Sequence, residues 1–409
     1  MSFLKVLISE VQVSLDGKVC EVKWSDDHIS RFHAKWLRFN CHCSQCYPEF
    51  SGIYKVDFPQ FPDDTILTEA RIGDNALLTK HSWDIMENHT TTQPFEWLRS
   101  FCYCDTCLSS LVRSRDIIST HFENTKVQQD IPTIDYSEMK DNDVGSYSML
   151  QKFMESGFCK ISNVPCEDKM VLKFARRFGP IRETLYGEFF DVLPHNSVNA
   201  AYTSKGIPLH MDQQAYEQTP GIQLLHALRF DDEVSGGQST LLDMFQVAEI
   251  FRKESPEDFR TFLEVPACFN TIDYKRKVPV YFEVQKHHIV LDYYGKIVAV
   301  NWHAGFASTL RIKEKDVERY YKAHRKFSMI MQREKLVGRF RFRLRTGDLL
   351  FFNNRRMTHA RDAFTNNGGI RHLQGCYIDL DDCKSNYMTL ANKLRLQVTP
   401  PKVGNASSI

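Results

Sequence analysis

The chain has 409 residues, 42% of them hydrophobic, and a formal net charge of +1 at pH 7. That length and apolar content suit two buried cores, so two domains are expected. The balanced charge leaves no electrostatic footprint for nucleic acid or an anionic membrane surface, and no apolar run is long enough for a bilayer-spanning helix.

In chain order, the first twenty residues carry acidic side chains and no arginine, unlike a mitochondrial transit peptide. The cytoplasm is therefore the expected compartment, with the mitochondrion as the alternative. Residues 1–118 alternate apolar and polar side chains around turns at Asp16-Gly17 and Gly73-Asp74, which predicts a small β-rich domain. Within it, His28, Trp36-Leu37-Arg38, Cys41, Cys43 and Cys46 recur with identical spacing as His89, Trp97-Leu98-Arg99, Cys102, Cys104 and Cys107. This is an internal repeat. Half of the 12 cysteines fall in its two triplets. Three thiolates this close can wrap one Zn(II) and leave its fourth tetrahedral position to a histidine. Disulfides are the other use of such cysteines, and a reducing compartment disfavours them.

Residues 119–132 are polar and read as a linker. Residues 133–395 form the second predicted domain and 396–409 a flexible tail. Helices are predicted over Val144 to Glu155 and over Glu167 to Phe178, the latter stopped by Pro180. Further helices are predicted near Phe245 to Leu263 and Glu314 to Met331, with strands and turns dominating elsewhere.

The chemistry-bearing pattern begins at His210-Met211-Asp212. Residues two apart on a strand share a face, so both side chains can grip one metal ion. A His-x-Asp/Glu pair alone is weak evidence, with 15 His and 51 acidic residues in the chain; His121-Phe122-Glu123 is a second instance, in a polar connecting stretch. Downstream, Thr346-Gly347-Asp348 reads as a turn, Leu349 to Phe352 as a buried strand, and His359 as lying at the mouth of the next turn. After Gly368-Gly369, a returning strand carries Arg371, expected near His359 across a hairpin-like pair. Two neutral imidazoles and one carboxylate on one side of Fe(II) leave open positions for a cosubstrate and O2. A guanidinium nearby can clamp the far carboxylate of 2-oxoglutarate. Taken singly, Arg371 reads more readily as a surface arginine and His359 as a satisfied histidine; the four residues together, in this order, reverse that preference.

Residues from about 130 to 395 resemble the gamma-butyrobetaine dioxygenase and trimethyllysine dioxygenase family of Fe(II)/2-oxoglutarate oxygenases. The resemblance rests on Leu185-Tyr186-Gly187, Asn199 to Thr203, His210-Met211-Asp212, Pro220 to His226, Ser235 to Ser239, Phe352 to His359 and Arg371-His372-Leu373. It implies a mainly β fold with helices, a double-stranded β-helix (jelly-roll) catalytic domain preceded by a small zinc-binding domain. It also implies iron on His210, Asp212 and His359, 2-oxoglutarate on Arg371 with help from Asn199, ascorbate as reductant, and a homodimer. In the family the N-terminal zinc sits on the triplet matching Cys41, Cys43 and Cys46, with a histidine matching His89. The family's second copy usually lacks a cysteine triplet. If His89 completes the first site across a local twofold axis, His28 should by symmetry complete a second one with Cys102, Cys104 and Cys107. The other reading of that triplet is three plain thiols.

The resemblance further implies an aromatic cage for a trimethylammonium group, matched by Tyr186, Phe190 and Tyr202, each face worth roughly 0.5–2 kcal/mol of cation–π attraction. Phe190 stands where the family commonly has tryptophan. Two departures bear on the substrate. Val300-Asn301-Trp302-His303-Ala304 replaces the Asn-Asn pair that contacts the substrate carboxylate, and Asn353-Asn354-Arg355-Arg356 replaces Asp-Asn-Trp-Arg. Arg355 then either takes over a carboxylate contact or lies on the surface. The implied reaction is hydroxylation of gamma-butyrobetaine to L-carnitine, using O2 and releasing succinate and CO2. The alternatives are a trimethyllysine dioxygenase, a related oxygenase with another cationic substrate, and a non-catalytic binding scaffold.

Overall fold

The structure is a computed structural model that describes residues 7–48, 58–115, 130–193, 203–303, 307–336 and 338–398. It divides into two units, Met1–Arg113 and Ser114–Ile409.

In the first unit the repeat in sequence is a repeat in structure. Strands β1 (Ile8–Val13), β2 (Val19–Trp24) and β3 (Ile29–His33) form an antiparallel sheet followed by helix α1 (Ala34–Phe39). Strands β4 (Leu67–Ile72), β5 (Ala76–His81) and β6 (Thr91–Pro94) form another, followed by α2 (Phe95–Ser100) and then α3 (Asp105–Arg115). Both sheets break register at the same place, Ile8/Glu10 in one and Leu67/Glu69 in the other. Alternation turns Val22, Trp24 and Phe32 inward, where they pack with Leu37, Leu77 and Leu98. The two repeat tryptophans, Trp36 and Trp97, stack on each other with ring centroids 5.4 Å apart.

The second unit is a double-stranded β-helix. Its strands are β7 (Thr133–Asp135), β8 (Phe158–Ser162), β9 (Phe190–Val192), β10 (Ile207–His210), β11 (Ile222–Phe230), β12 (Ser235–Gly236), β13 (Ser239–Asp243), β14 (Ala267–Asp273), β15 (Val280–Lys286) and β16 (Ile289–Leu291). They continue as β17 (Ile297–Val300), β18 (Arg339–Phe342), β19 (Leu349–Asn353), β20 (Met357–Arg361), β21 (Phe364–Thr365) and β22 (Arg371–Ile378). One sheet runs β7-β8-β19-β11-β22-β9 and the other β10-β20-β13-β18. Every residue of β19 is buried, because the strand has protein on both faces. Leu349 and Phe351 pack with Phe153, Phe174 and Cys383 from the helices Asp143–Ser156, Met170–Ala175 and Leu380–Lys393. Leu350 and Phe352 point the other way, toward Leu241, Phe340 and Met357 of the four-stranded sheet. A further core joins the helices Met244–Glu254, Pro256–Glu264 and Val317–Met331 to β14, β16 and β17.

The expected helix over Val144 to Glu155 spans Asp143–Ser156, capped by the Asn142 side chain and ended at Gly157 in the left-handed conformation (φ 78°). The region expected near Phe245 to Leu263 is two helices, because Pro256 starts a new one. Two expectations for the distal segment are corrected. His359 lies within β20, not at a turn mouth, since the turn falls at Asn354 to Arg356. Arg371 is not across a hairpin from it: β20 pairs with β10 and β13, whereas β22 pairs with β11 and β9. The helix Leu380–Lys393 was not anticipated. No described helix is long and apolar enough to cross a membrane.

Candidate functional site

Sheet register assembles the centre. In the pairing of β10 with β20, His210 lies opposite His359, and Leu241 of β13 lies opposite His359 on its other side. The His210 and His359 ring centroids are 4.0 Å apart. His210, Asp212 and His359 each offer a ligand atom, and these atoms all lie within 4.8 Å of one another. Strand spacing is not what achieves this. β10 ends at His210, and Asp212 sits in the turn beyond it. That turn is pinned by the buried Asn354, whose Oδ1 accepts from the Asp212 backbone N–H (2.9 Å) and whose Nδ2 donates to the Asp212 carbonyl (3.0 Å).

The protonation states suit a divalent cation. His210 Nδ1 donates to the Pro208 carbonyl at 2.8 Å, which orients the ring so that Nε2 lies 3.3 Å from Asp212 Oδ1. Burial, reinforced by His210, pushes the His359 imidazole down to about 3, so the ring is neutral. Burial alone would raise the Asp212 carboxyl. The imidazoles of His210 and His359 beside it and the Tyr377 hydroxyl outweigh burial and hold the carboxyl below its ordinary value. Tyr377 donates to Asp212 Oδ2 at 2.8 Å, and its own proton is held by burial and by the neighbouring carboxylate. Sequence reasoning missed Tyr377. The only available signal was its place at an inward position of the strand that carries Arg371. His303 also adjoins the centre, bridged to His210 with rings 5.0 Å apart, but it is outside the three-ligand set.

Arg371 is 3% exposed, and among the described residues its Nε and Nη1 have no hydrogen-bond partner. Its guanidinium lies 5.2 Å from the Phe230 ring centroid and 5.3 Å from that of Phe364. Burial, with Arg361 and Arg343 nearby, pushes it down to about 9. A buried guanidinium between apolar walls, two of its nitrogens without a partner among the described residues, suits an anion. It is not the surface arginine that the single-residue reading allowed. Asn199, expected to assist it, lies outside the described residues, as does Tyr202 of the expected cage.

The other two cage residues come together, with Tyr186 and Phe190 ring centroids 5.7 Å apart, and Tyr377 follows Phe190 at 5.5 Å. The Arg276 guanidinium lies 5.3 Å from the Tyr186 centroid and donates to the Leu185 carbonyl. Arg355 is not the surface arginine that one reading allowed. It is half-buried, and its Nε and Nη2 donate to the Thr219 carbonyl at 3.0 and 2.6 Å. Asn301 is structural as well, donating to the His287 carbonyl (2.8 Å) and accepting from His288.

In the first unit, His89 Nε2 lies 3.3, 3.4 and 3.7 Å from the sulfurs of Cys43, Cys46 and Cys41. Around a tetrahedral zinc with bonds of about 2.3 Å to sulfur and 2.0 Å to nitrogen, such edges are about 3.5 Å. His89 Nδ1 meets Asp84 at 2.8 Å, and Arg38 holds Asp84 and reaches Cys46. A carboxylate behind a histidine in this way fixes the ring for a metal. His28 meets Cys102, Cys104 and Cys107 in a second cluster.

Residues 120–377 match the family described as taurine catabolism dioxygenase TauD, TfdA family, and residues 11–84 match gamma-butyrobetaine hydroxylase-like, N-terminal. The chain is 31% identical to gamma-butyrobetaine dioxygenase of Pseudomonas sp. (strain AK-1), over 90% of this chain and 93% of that one. It is 29% identical to trimethyllysine dioxygenase of Meyerozyma guilliermondii, over 91% and 93%. It is 27% identical to gamma-butyrobetaine dioxygenase of Homo sapiens, over 93% and 97%.

Proposed function

We propose, from the premise that this chain belongs to the TauD, TfdA dioxygenase family, that it hydroxylates a trimethylammonium carboxylic acid, and that this acid is gamma-butyrobetaine, giving L-carnitine. The observation that carries the reading is the convergence of His210, Asp212 and His359 in a chain that also buries an anion-seeking Arg371.

Bound Fe(II) with 2-oxoglutarate supplies O2 activation, so that one oxygen atom enters a C–H bond of the substrate while the cosubstrate leaves as succinate and CO2. The chain's own part is positional. His210, His359 and Asp212 would hold the ion through two imidazole nitrogens and one carboxylate, a donor set that leaves room for cosubstrate and O2. Tyr377 and Asn354 fix the Asp212 side chain and backbone respectively. Arg371 pairs with the distal carboxylate of 2-oxoglutarate, held between Phe230 and Phe364. The faces of Tyr186 and Phe190 suit a quaternary ammonium, which has no N–H to donate and is bound through cation–π attraction. Cys41, Cys43, Cys46 and His89 would hold a structural zinc ion.

Trimethyllysine is the second reading, favoured by the almost equal identity to a trimethyllysine dioxygenase. Succinate release measured with Fe(II), 2-oxoglutarate and each candidate decides between them. Gamma-butyrobetaine should yield succinate and hydroxylated product in equal amounts. Coupled turnover of trimethyllysine alone would transfer the assignment to the second reading, and absence of any 2-oxoglutarate turnover would leave only a binding scaffold.

A further inference from the structure

The repeat in the first unit places a second set of metal-ligating groups where the first set already has one. Each cysteine triplet follows the short helix of its own repeat, α1 or α2, and each histidine precedes the last strand of the opposite repeat. His89 of the second repeat closes on the first triplet, and His28 of the first repeat closes on the second. His28 Nε2 lies 3.3, 3.6 and 3.8 Å from the sulfurs of Cys102, Cys107 and Cys104. These edges match the tetrahedral value of about 3.5 Å as the first cluster does.

The groups behind the ligands correspond too, although they are reached from different positions in the sequence. Arg38 joins Cys46 to Asp84 in the first cluster, and Arg99 joins Cys107 (3.5 Å) to Asp26 (3.2 Å) in the second. Asp84 precedes its histidine by five residues and Asp26 by two, so the pairing is not simply inherited from the repeat. Ser30 Oγ donates to Cys102 Sγ at 3.1 Å and receives the Trp24 indole N–H. Hydrogen bonds and a cation directed at sulfur are what a cluster of thiolates on a metal requires. All three cysteines are free, and three thiols cannot pair off into disulfides among themselves.

We propose that His28, Cys102, Cys104 and Cys107 form a second structural zinc site, so that two zinc ions cross-link the two repeats reciprocally, each held by three cysteines of one and a histidine of the other. The second site is the more open: Cys41 and Cys46 are fully buried, whereas Cys104 and Cys107 are only half-buried. Its ion is therefore the first to leave under chelation. The proposal is independent of the iron chemistry and of the substrate.

The test is the zinc content of the purified full-length protein together with alkylation of its thiols. Two zinc ions per chain are expected, falling to one in His28→Ala and to one in His89→Ala. In the zinc-loaded wild type, Cys102, Cys104 and Cys107 should resist alkylation while the exposed Cys166 reacts. A chelator should expose the second triplet before the first. The alkylation arm needs no variant, so a His28→Ala chain that misfolds leaves it intact. One zinc per chain after zinc reconstitution, or a second triplet that reacts as fast as Cys166 in zinc-loaded protein, overturns the proposal.

Discussion

An arginine buried without an anion is costly, because a charge removed from water needs a partner. Arg371 Nε and Nη1 have no hydrogen-bond partner among the described residues, and the proposed pairing with the distal carboxylate of 2-oxoglutarate supplies one. Arg371→Met should raise the KM for 2-oxoglutarate about 100-fold, equivalent to about 2.7 kcal/mol, without lowering the melting temperature; an unchanged KM would remove the residue from the cosubstrate site. Tyr377 acts through Asp212. Tyr377→Phe keeps the ring and loses only the 2.8 Å hydrogen bond, so Fe(II) affinity measured anaerobically should fall about 10- to 100-fold. His210→Ala removes one of the three proposed Fe(II) ligands and should abolish Fe(II) binding and turnover while leaving the zinc content and the circular dichroism spectrum unaltered.

At the scale of elements, one buried ion pair ties three of them together. Arg356, in the turn between β19 and β20, donates twice to Asp243 Oδ2 (3.0 and 2.7 Å), and both side chains are essentially inaccessible. The other oxygen of Asp243 caps the helix Met244–Glu254 through the Phe245 N–H. Arg356 also donates to the Met154 and Glu155 carbonyls at the end of the helix Asp143–Ser156, where a cation suits the helix dipole. Arg356→Met leaves Asp243 charged and unpaired, and urea denaturation should register a loss of about 3–5 kcal/mol. A loss below about 1 kcal/mol would mean that the pair does not join these elements.

At the scale of the whole molecule, stability should depend on acid in a defined direction. His288 is 2% exposed, packed against Phe262, Trp302 and His324, and hydrogen-bonded to the Asn301 carbonyl and the Tyr320 hydroxyl. Burial pushes it down to about 3 from an ordinary 6.5. Between those values the unfolded chain binds a proton that the folded one does not, so stability falls as the pH falls, by about 1.4 kcal/mol per unit at full effect. Acid unfolding of His288→Gln should show a slope between pH 4 and 6 (about the middle of that window) that is shallower by about one proton; an identical slope would place the acid sensitivity elsewhere.

How much was legible in advance follows from what each signal encodes. The helix Asp143–Ser156 and the doubly buried β19 were readable because periodicity and end signals are local. The Cys/His repeat was readable because spacing survives folding, and His210, Asp212, His359 and Arg371 were readable as an ordered set. Tyr377, Asn354 and the Asp84 and Asp26 partners were not, because an inward tyrosine or a nearby aspartate has no pattern of its own until strands and turns meet. Nor could spacing assign Arg355 or Asn301, whose side chains settled on backbone carbonyls that folding brought to them. The sequence by itself determined the ligand types and their order. Only the tertiary structure decided which carboxylates and hydroxyls back the ligands and which strand faces His359, because strand pairing and repeat packing are contacts between segments remote along the chain.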